Sequence, residues 1–183
     1  LDPSQVLDLN QTLPTASFDA GYSILMVVIA LALVLLNGFF VLSEFSIVKV
    51  RRSKLEEMVK EKKVGAKKAL EVTSRLDTYL SACQLGITLS SLALGWIGEP
   101  AIAKMLEIPL ANLGFNGVII HTIAFIIAFS IITLLHVVLG ELVPKSIAIA
   151  IADKAVLWVA RPLHWFWILF LPCIKIFDFL AAM

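Results

Sequence analysis

The sequence predicts an all-α membrane protein with three transmembrane helices, short amphipathic helices on the cytoplasmic side and an interfacial juxtamembrane helix. Hydrophobic residues make up 60% of the 183 residues and charged residues only 16%, whereas soluble domains are near 45–50% apolar and about 25% charged. Three uncharged windows lie at 22–42, 78–98 and 117–140. Each window has about the 20 residues that a helix needs to cross the hydrocarbon core.

The predicted elements follow from these windows. Residues 1–20 contain three Asp and no basic residue, which predicts an external N-terminal lead. The transmembrane domain is predicted over 21–150, with spans at about 21–50, 76–98 and 117–150. The stretch from Glu99 to Asn116 contains Pro100 and Pro109 and is interpreted as a loop with one short helix.

The loop between the first two spans sets the orientation. From Lys49 to Arg75 it contains ten Lys or Arg residues against four Glu, so the positive-inside rule makes it cytoplasmic. The N-terminus is then outside and the C-terminus cytoplasmic, in the plasma (inner) membrane. Within this loop, charged and apolar residues alternate over 53–73, which predicts two short amphipathic helices separated by Gly65.

The last segment, 151–183, has two interpretations. It is long enough for a fourth span, which would put the C-terminus outside. It contains Arg161, Pro162 and Pro172, however, and three tryptophans lie between Trp158 and Trp167. Tryptophan prefers the membrane interface to the bilayer centre, so the segment is predicted to be a juxtamembrane helix lying in the inner interface.

Glu141 is the strongest candidate for a functional residue. It follows an uncharged run from Ile108 to Gly140, and an ionised group at membrane depth is expensive unless a cation or a polar cavity meets it. Pro144 has no N–H to donate to the carbonyl four residues earlier, which belongs to Gly140. A carboxylate and a freed carbonyl oxygen on one turn indicate a site for a hard cation.

Other polar side chains in the spans allow either packing or binding. Hydroxyls from the first two spans would complete an all-oxygen set, which favours Mg²⁺, Na⁺ or Ca²⁺ over zinc or copper. Small residues in membrane helices often only permit close packing, and Gly86 and Ser90 have that spacing. His136 is more typical of a packing residue, since its five-residue spacing from Glu141 is about 140° around a helix. That spacing argues against a zinc motif.

Three sequence blocks resemble the CorC/CNNM (cyclin M-like) membrane module over about residues 20–180. They are NGFFVLSEFS at 37–46 with RRSKL at 51–55, QLGITLSSLALG at 84–95, and GELVPKS at 140–146. The resemblance implies a homodimeric Mg²⁺ transporter that exports Mg²⁺ in exchange for Na⁺, with a juxtamembrane helix that belts the cytoplasmic side. Members continue into paired CBS domains that bind nucleotide. This chain is expected to lack those domains, so nucleotide binding is expected only on them.

The resemblance also implies a set of metal ligands. By motif position these are Ser43 in the first span, Ser90 or its neighbour Ser91 in the second, and Gly140 and Glu141 in the third. The bound ion would be Mg²⁺, with Na⁺ competing for the same carboxylate.

The expected function is therefore Mg²⁺ transport across the membrane, coupled to Na⁺ entry. The alternative is a membrane anchor or Mg²⁺ sensor for cytoplasmic regulatory domains, in which Glu141 is a structural carboxylate paired with Lys145. The sequence shows no recognisable nucleophile–base pair and no nucleic-acid motif, so we expect neither an enzyme nor a nucleic-acid partner. The expected partners are a second copy of the chain, the lipid bilayer, Mg²⁺ and Na⁺.

Overall fold

The computed structural model describes residues 20–112 and 117–181, and throughout that part of the chain every regular element is a helix. The elements are α1 (Ala20–Lys49), α2 (Arg52–Lys60), α3 (Ala66–Ser74), α4 (Leu76–Ala111), α5 (Gly117–Leu135), a π-helix (His136–Leu142) and α6 (Val143–Ala181). Among the described residues, three segments are long and apolar enough to cross a membrane: Gly21–Lys49, Leu76–Ala111 and Gly117–Ile176. The predicted fold class is confirmed. The predicted external lead, up to residue 19, lies outside the described residues.

The spans form a bundle in which α1 and the third span run in the same direction. Asn37 of α1 lies beside Gly140, and Gly38 lies beside Pro144, whose Cγ is 3.0 Å from the place a Cβ on Gly38 would occupy. The helix α4 runs the opposite way, because its later residue Ser90 meets Asn37 while its earlier residue Gly86 meets Phe40. Polar residues of all three spans therefore meet at one level.

The helix α4 is longer than the sequence predicts. It continues through Pro100 and Pro109 to Ala111, where the sequence predicts a loop. The extension has a packing partner, because Ala103 forms a buried cluster with Ala124 and Ala128 of α5. Close packing of these small side chains outweighs the local preference of the two prolines.

The third span and the segment after it are separated by a break at Ile151, where φ is −133° and ψ is 40°. Beyond the break, Val156 and Leu163 are buried in one core with Leu55 of α2 and Val72 of α3. This part of α6 (residues 152–181), called here the belt segment, therefore packs at the level of the basic loop. The same core also contains Phe40 of α1 and Cys83 of α4, so the interfacial helix rather than a fourth span stays a prediction.

Candidate cation site between the spans

Asn37 is the centre of a polar cluster between the three spans. Its side chain is only 2% exposed, and its Nδ2 donates a hydrogen bond to the carbonyl oxygen of Gly140 at 3.0 Å. A buried amide needs such partners, since leaving it unpaired is costly. Asn37 thus joins α1 to the π-helix that carries Glu141.

The other end of the same amide faces α4. Asn37 Oδ1 lies 3.1 Å from the Ser90 hydroxyl and 3.2 Å from the Ser91 hydroxyl. Ser90 Oγ is closer still to the carbonyl of Gly86, at 2.7 Å. A hydroxyl has one proton and two lone pairs, so Ser90 can donate fully to only one of these acceptors. With either acceptor, the Ser90 oxygen keeps lone pairs for a further partner. The sequence left open which serine points inward, and in the structure both contact Asn37.

His136 lies at the edge of this cluster. Its Nε2 is 3.4 Å from the Ser91 hydroxyl oxygen, which can accept a hydrogen bond from a protonated Nε2 while it donates its own to Asn37. The sequence favoured a packing role for His136, and Asn37, the first residue of the block at 37–46, was not among the predicted ligands. An amide inside the apolar run 22–42 was the signal that could have identified Asn37.

The backbone around Glu141 is a π-helix, in which the N–H of Val143 donates to the carbonyl of Val138, five residues earlier. Such wider turns often occur at functional sites. The sequence predicted a disrupted turn before Pro144, with the carbonyl of Gly140 left free. The turn is indeed irregular, but that carbonyl accepts a hydrogen bond from Asn37, so only one of its two lone pairs remains available.

Gly140 is closely surrounded by this cluster. A Cβ added there would lie 3.0 Å from His136 Cδ2 and 3.2 Å from Asn37 Nδ2. Both distances are tighter than ordinary side-chain contacts, so a larger residue would push the amide away from the carbonyl. The site therefore needs glycine at this position.

Ser43 lies further along α1. It is fully buried and donates to the carbonyl of Phe39 in its own helix at 2.7 Å. Six residues separate it from Asn37, or about 9 Å along a helix, so the structure does not bring it into the Asn37 cluster. Ser46, one turn further, is also buried, and its hydroxyl has no hydrogen-bond partner among the described residues.

Glu141 is exposed on the surface of the single chain. It has no hydrogen bond or ion pair to any described residue, and its neighbours Leu139 and Leu142 are exposed apolar side chains. Lys145, the base one turn on, is directed elsewhere. Its ammonium lies 4.7 Å from the centre of the Phe45 ring.

The donors that could hold a cation are oxygens. Within 20–112 and 117–181 there is no group of three or more His, Cys, Asp or Glu side chains placed to hold a metal ion. The hydroxyls of Ser43, Ser90 and Ser91, the carbonyl of Gly140 and the carboxylate of Glu141 are hard ligands of the kind that Mg²⁺ and Na⁺ prefer.

The fold and this cluster together define a helical membrane protein with a hydrogen-bonded polar centre shared by three spans. Comparison with known families identifies the family of this membrane protein. Residues 28–183 match the family model for the cyclin M (CNNM) transmembrane N-terminal domain. The chain belongs to the CNNM family, as the three sequence blocks predicted.

Bacterial relatives agree with this assignment. The chain is 42% identical to the UPF0053 protein YugS of Bacillus subtilis over 83% of its own length and 35% of that protein. It is 45% identical to the UPF0053 protein YhdT of the same organism, over 80% of its length and 32% of the relative. The chain is also 36% identical to an uncharacterized protein of Mycobacterium tuberculosis, Rv1841c, over 74% of its own length and 38% of that protein. The chain spans about a third of the length of these curated relatives.

Proposed function

We propose that this domain carries Mg²⁺ across the membrane, exporting it in exchange for Na⁺ as a homodimer in the plasma (inner) membrane. The observation that supports this most is Glu141. It is a carboxylate in a membrane span with no cationic partner among the described residues, next to a carbonyl that Asn37 holds in a cluster of three helices.

The lone pairs around the cluster support cation binding. Ser43 donates to a carbonyl of its own helix, and Ser90 can do the same, so both oxygens keep lone pairs. Gly140 keeps one lone pair beside its bond to Asn37. Mg²⁺ requires several oxygens in near-octahedral geometry and loses water reluctantly. Glu141, Gly140 and the hydroxyls of Ser90 or Ser91 in α4 would supply part of that shell, and water the rest; Ser43, outside the Asn37 cluster, would join it only after a movement of α1.

The lack of a basic partner argues for a mobile ion as the counter-charge. Lys145 lies over the Phe45 ring, so in this structure it does not form the pair with Glu141 that the anchor hypothesis expects. A carboxylate among apolar side chains is costly at membrane depth. A cation that binds and leaves reversibly would lower that cost, and Na⁺ could replace Mg²⁺ at the same carboxylate.

The charge distribution supports the orientation. The basic segment from Lys49 to Arg75 joins α1 to α4, so it is expected on the cytoplasmic side. The belt segment packs against this basic segment, so its C-terminal end is expected on the same side. In this arrangement the N-terminal end of α1 is outside.

The test separates binding from transport. Mg²⁺ titration of the purified protein, followed by thermal unfolding in detergent, measures binding, and Mg²⁺ flux from loaded liposomes measures transport. Glu141→Gln keeps the shape and removes the charge. It is expected to weaken Mg²⁺ binding by at least about tenfold, since even indirect partners of a metal site typically contribute 10–100-fold, and to reduce flux in parallel.

Glu99→Gln is the matched control. Glu99 is a half-buried carboxylate of α4 outside the cluster, so its removal should leave both measurements unchanged. Unchanged Mg²⁺ binding and flux in Glu141→Gln would contradict the proposal. Saturable, Glu141-dependent binding without any flux would instead identify a Mg²⁺ sensor or anchor.

A further inference from the structure

A basic groove lies between the turn after α2, the start of α3 and the belt segment. It consists of two adjoining depressions of about 590 and 480 Å³. Val64, Gly65 and Arg161 line both of them, so they form one continuous surface. This groove is separate from the polar cluster around Asn37.

The groove has an excess of unpaired positive charge. Two of its lysines are neutralised, since Lys63 pairs with Glu61 at 2.7 Å and Lys68 pairs with Glu71 at 2.6 Å. Four other cations line it and have no ion pair with any described residue: Lys62, Lys67, Lys154 and Arg161. Four such charges in one concave surface match the chemistry of a phosphate group.

Gly65 fixes the two walls of the groove against each other. Its φ is +87°, and a Cβ added there would lie 2.6 Å from the carbonyl oxygen of Leu157 in the belt segment. No other residue could approach this closely. The lysines of the turn are therefore held next to Arg161 before any ligand arrives, which reduces the ordering cost of binding.

The apolar neighbours of these cations indicate what kind of phosphate fits. Trp158 is 87% exposed and Val64 78% exposed, and both line the groove. On the belt segment, Lys154, Trp158, Arg161 and Trp165 follow one another along a single exposed face. Cations interleaved with exposed tryptophans are typical of a surface at the level of lipid headgroups, whereas a soluble anion would leave the indole and Val64 uncovered.

The position of the groove agrees with this chemistry. It lies on the segment that connects the end of α1 at Lys49 to the start of α4 at Leu76, where two spanning helices leave the hydrocarbon. We propose that the groove binds the phosphate headgroup of an anionic phospholipid of the inner leaflet, with Lys67 and Arg161 on the phosphate and Trp158 against the upper acyl chain.

Native mass spectrometry of the purified protein, with added phosphatidylglycerol or phosphatidylcholine, tests this site. Wild type should retain phosphatidylglycerol in preference to phosphatidylcholine. In the double variant Lys67→Gln/Arg161→Gln that preference should fall roughly thirtyfold, from the usual contribution of two cations near an anionic surface. The charge-retaining variant Lys67→Arg/Arg161→Lys should keep most of it.

The matched control removes the same charge elsewhere. Lys104→Gln/Lys175→Gln takes one exposed cation from α4 and one from the far end of the belt segment, and it should keep the wild-type preference. An equal loss in both double variants would overturn the site in favour of a general charge effect. If neither double variant loses the preference for phosphatidylglycerol, the proposed lipid site is contradicted.

Inorganic phosphate distinguishes the lipid from a soluble anion. For a lipid site, an excess of phosphate should not displace phosphatidylglycerol, and Trp158→Ala should lower lipid retention. Displacement by phosphate, with Trp158→Ala having no effect, would show a site for a soluble anion and overturn the proposal. Mg²⁺ binding through Glu141 should be unchanged in all groove variants, so a failure of the lipid-site proposal can be distinguished from a failure of the transport proposal.

Discussion

Asn37 Nδ2 donates a hydrogen bond to the carbonyl oxygen of Gly140 at 3.0 Å, across 103 positions of sequence. The same side chain contacts Ser90 and Ser91 through its oxygen, so one amide connects all three spans. Gly140 immediately precedes Glu141, and Asn37 therefore fixes where the backbone of the candidate carboxylate lies. Its effect on a bound cation would be indirect, through the position of these groups.

Replacing Asn37 by alanine should destabilise the bundle. The substitution leaves the buried carbonyl of Gly140 without its donor and removes an acceptor from Ser90 and Ser91. A buried polar group left unsatisfied typically costs about 1–3 kcal/mol. Unfolding in detergent should show this loss, and Mg²⁺ titration should show weaker binding.

Ser130→Ala is the control for Asn37→Ala. Ser130 is an exposed residue of α5 whose hydroxyl donates to the carbonyl of Ile126 in its own helix, so its loss should stay within about 0.5 kcal/mol. Equal stabilities for the two variants would mean that the Asn37 contacts contribute nothing measurable.

Gly86→Ala should also destabilise the protein, for a packing reason. A Cβ at Gly86 would lie 2.5 Å from ring atoms of Phe40. Phe40 is buried, and its ring packs at a tilt against Phe166 of the belt segment, with 4.6 Å between the ring centres. The ring has little room to move, and overpacking of this kind typically costs about 1–3 kcal/mol. The unfolding midpoint in detergent measures the effect.

Gly95 supplies the comparison for Gly86 within the same helix. A Cβ there would have no atom within 4 Å, so Gly95→Ala should cause no loss and a small gain in helix propensity. If both alanine variants unfold at the same midpoint, the close approach of α4 to Phe40 does not limit stability.

The sequence predicted the membrane fold well because three long uncharged windows leave few alternatives. It also predicted an irregular turn beside Glu141, since Pro144 removes a donor wherever it stands in a helix. The partner of the freed carbonyl was not predictable in the same way. Asn37 reaches Gly140 only because the faces of α1 and the third span that carry these residues are turned toward each other. Successive residues of a helix point about 100° apart, so the sequence of one helix does not tell which residue faces a neighbouring helix.

The extension of α4 beyond its predicted end also depends on tertiary packing that the sequence does not show. Pro100 and Pro109 are local signals for a loop, but the apolar contacts of Ala103 with α5 come from tertiary packing. Glu141 is a further example of a residue that the sequence identifies without predicting its contacts. The sequence identifies it as a costly carboxylate, whereas its lack of an ion pair to Lys145 depends on the position of the Phe45 ring.

The pair Lys54–Glu57 should make the stability of α2 depend on pH. Lys54 Nζ donates to Glu57 Oε2 at 2.7 Å, and this hydrogen bond lowers the pKa of Glu57 below its ordinary value. Because the pKa is lower in the folded state, the contribution is present above the unfolded pKa and is lost as pH falls through the folded pKa.

Carboxyl NMR of glutamate-labelled protein, with Glu57→Gln to assign the signal, can measure this pKa. In Lys54→Gln the pKa of Glu57 should rise toward its ordinary value. An unshifted titration of Glu57 after the substitution would show that the pair does not form in solution. Lys60→Gln, which removes a nearby exposed charge from the same helix, should leave the titration almost unchanged.

Tyr79→Phe should loosen the belt segment from the start of α4. The Tyr79 hydroxyl and His164 Nδ1 are hydrogen-bonded at 2.7 Å, and the Tyr79 ring packs at 5.5 Å against Trp167. Phenylalanine keeps the ring contact and removes only the hydrogen bond, which should cost about 0.5–1.5 kcal/mol. A double-mutant cycle with His164→Ala isolates this pair, and its coupling energy should account for most of the loss. Hydrogen exchange over the belt segment should accelerate in Tyr79→Phe, whereas zero coupling with unchanged exchange would show that apolar packing alone holds the belt.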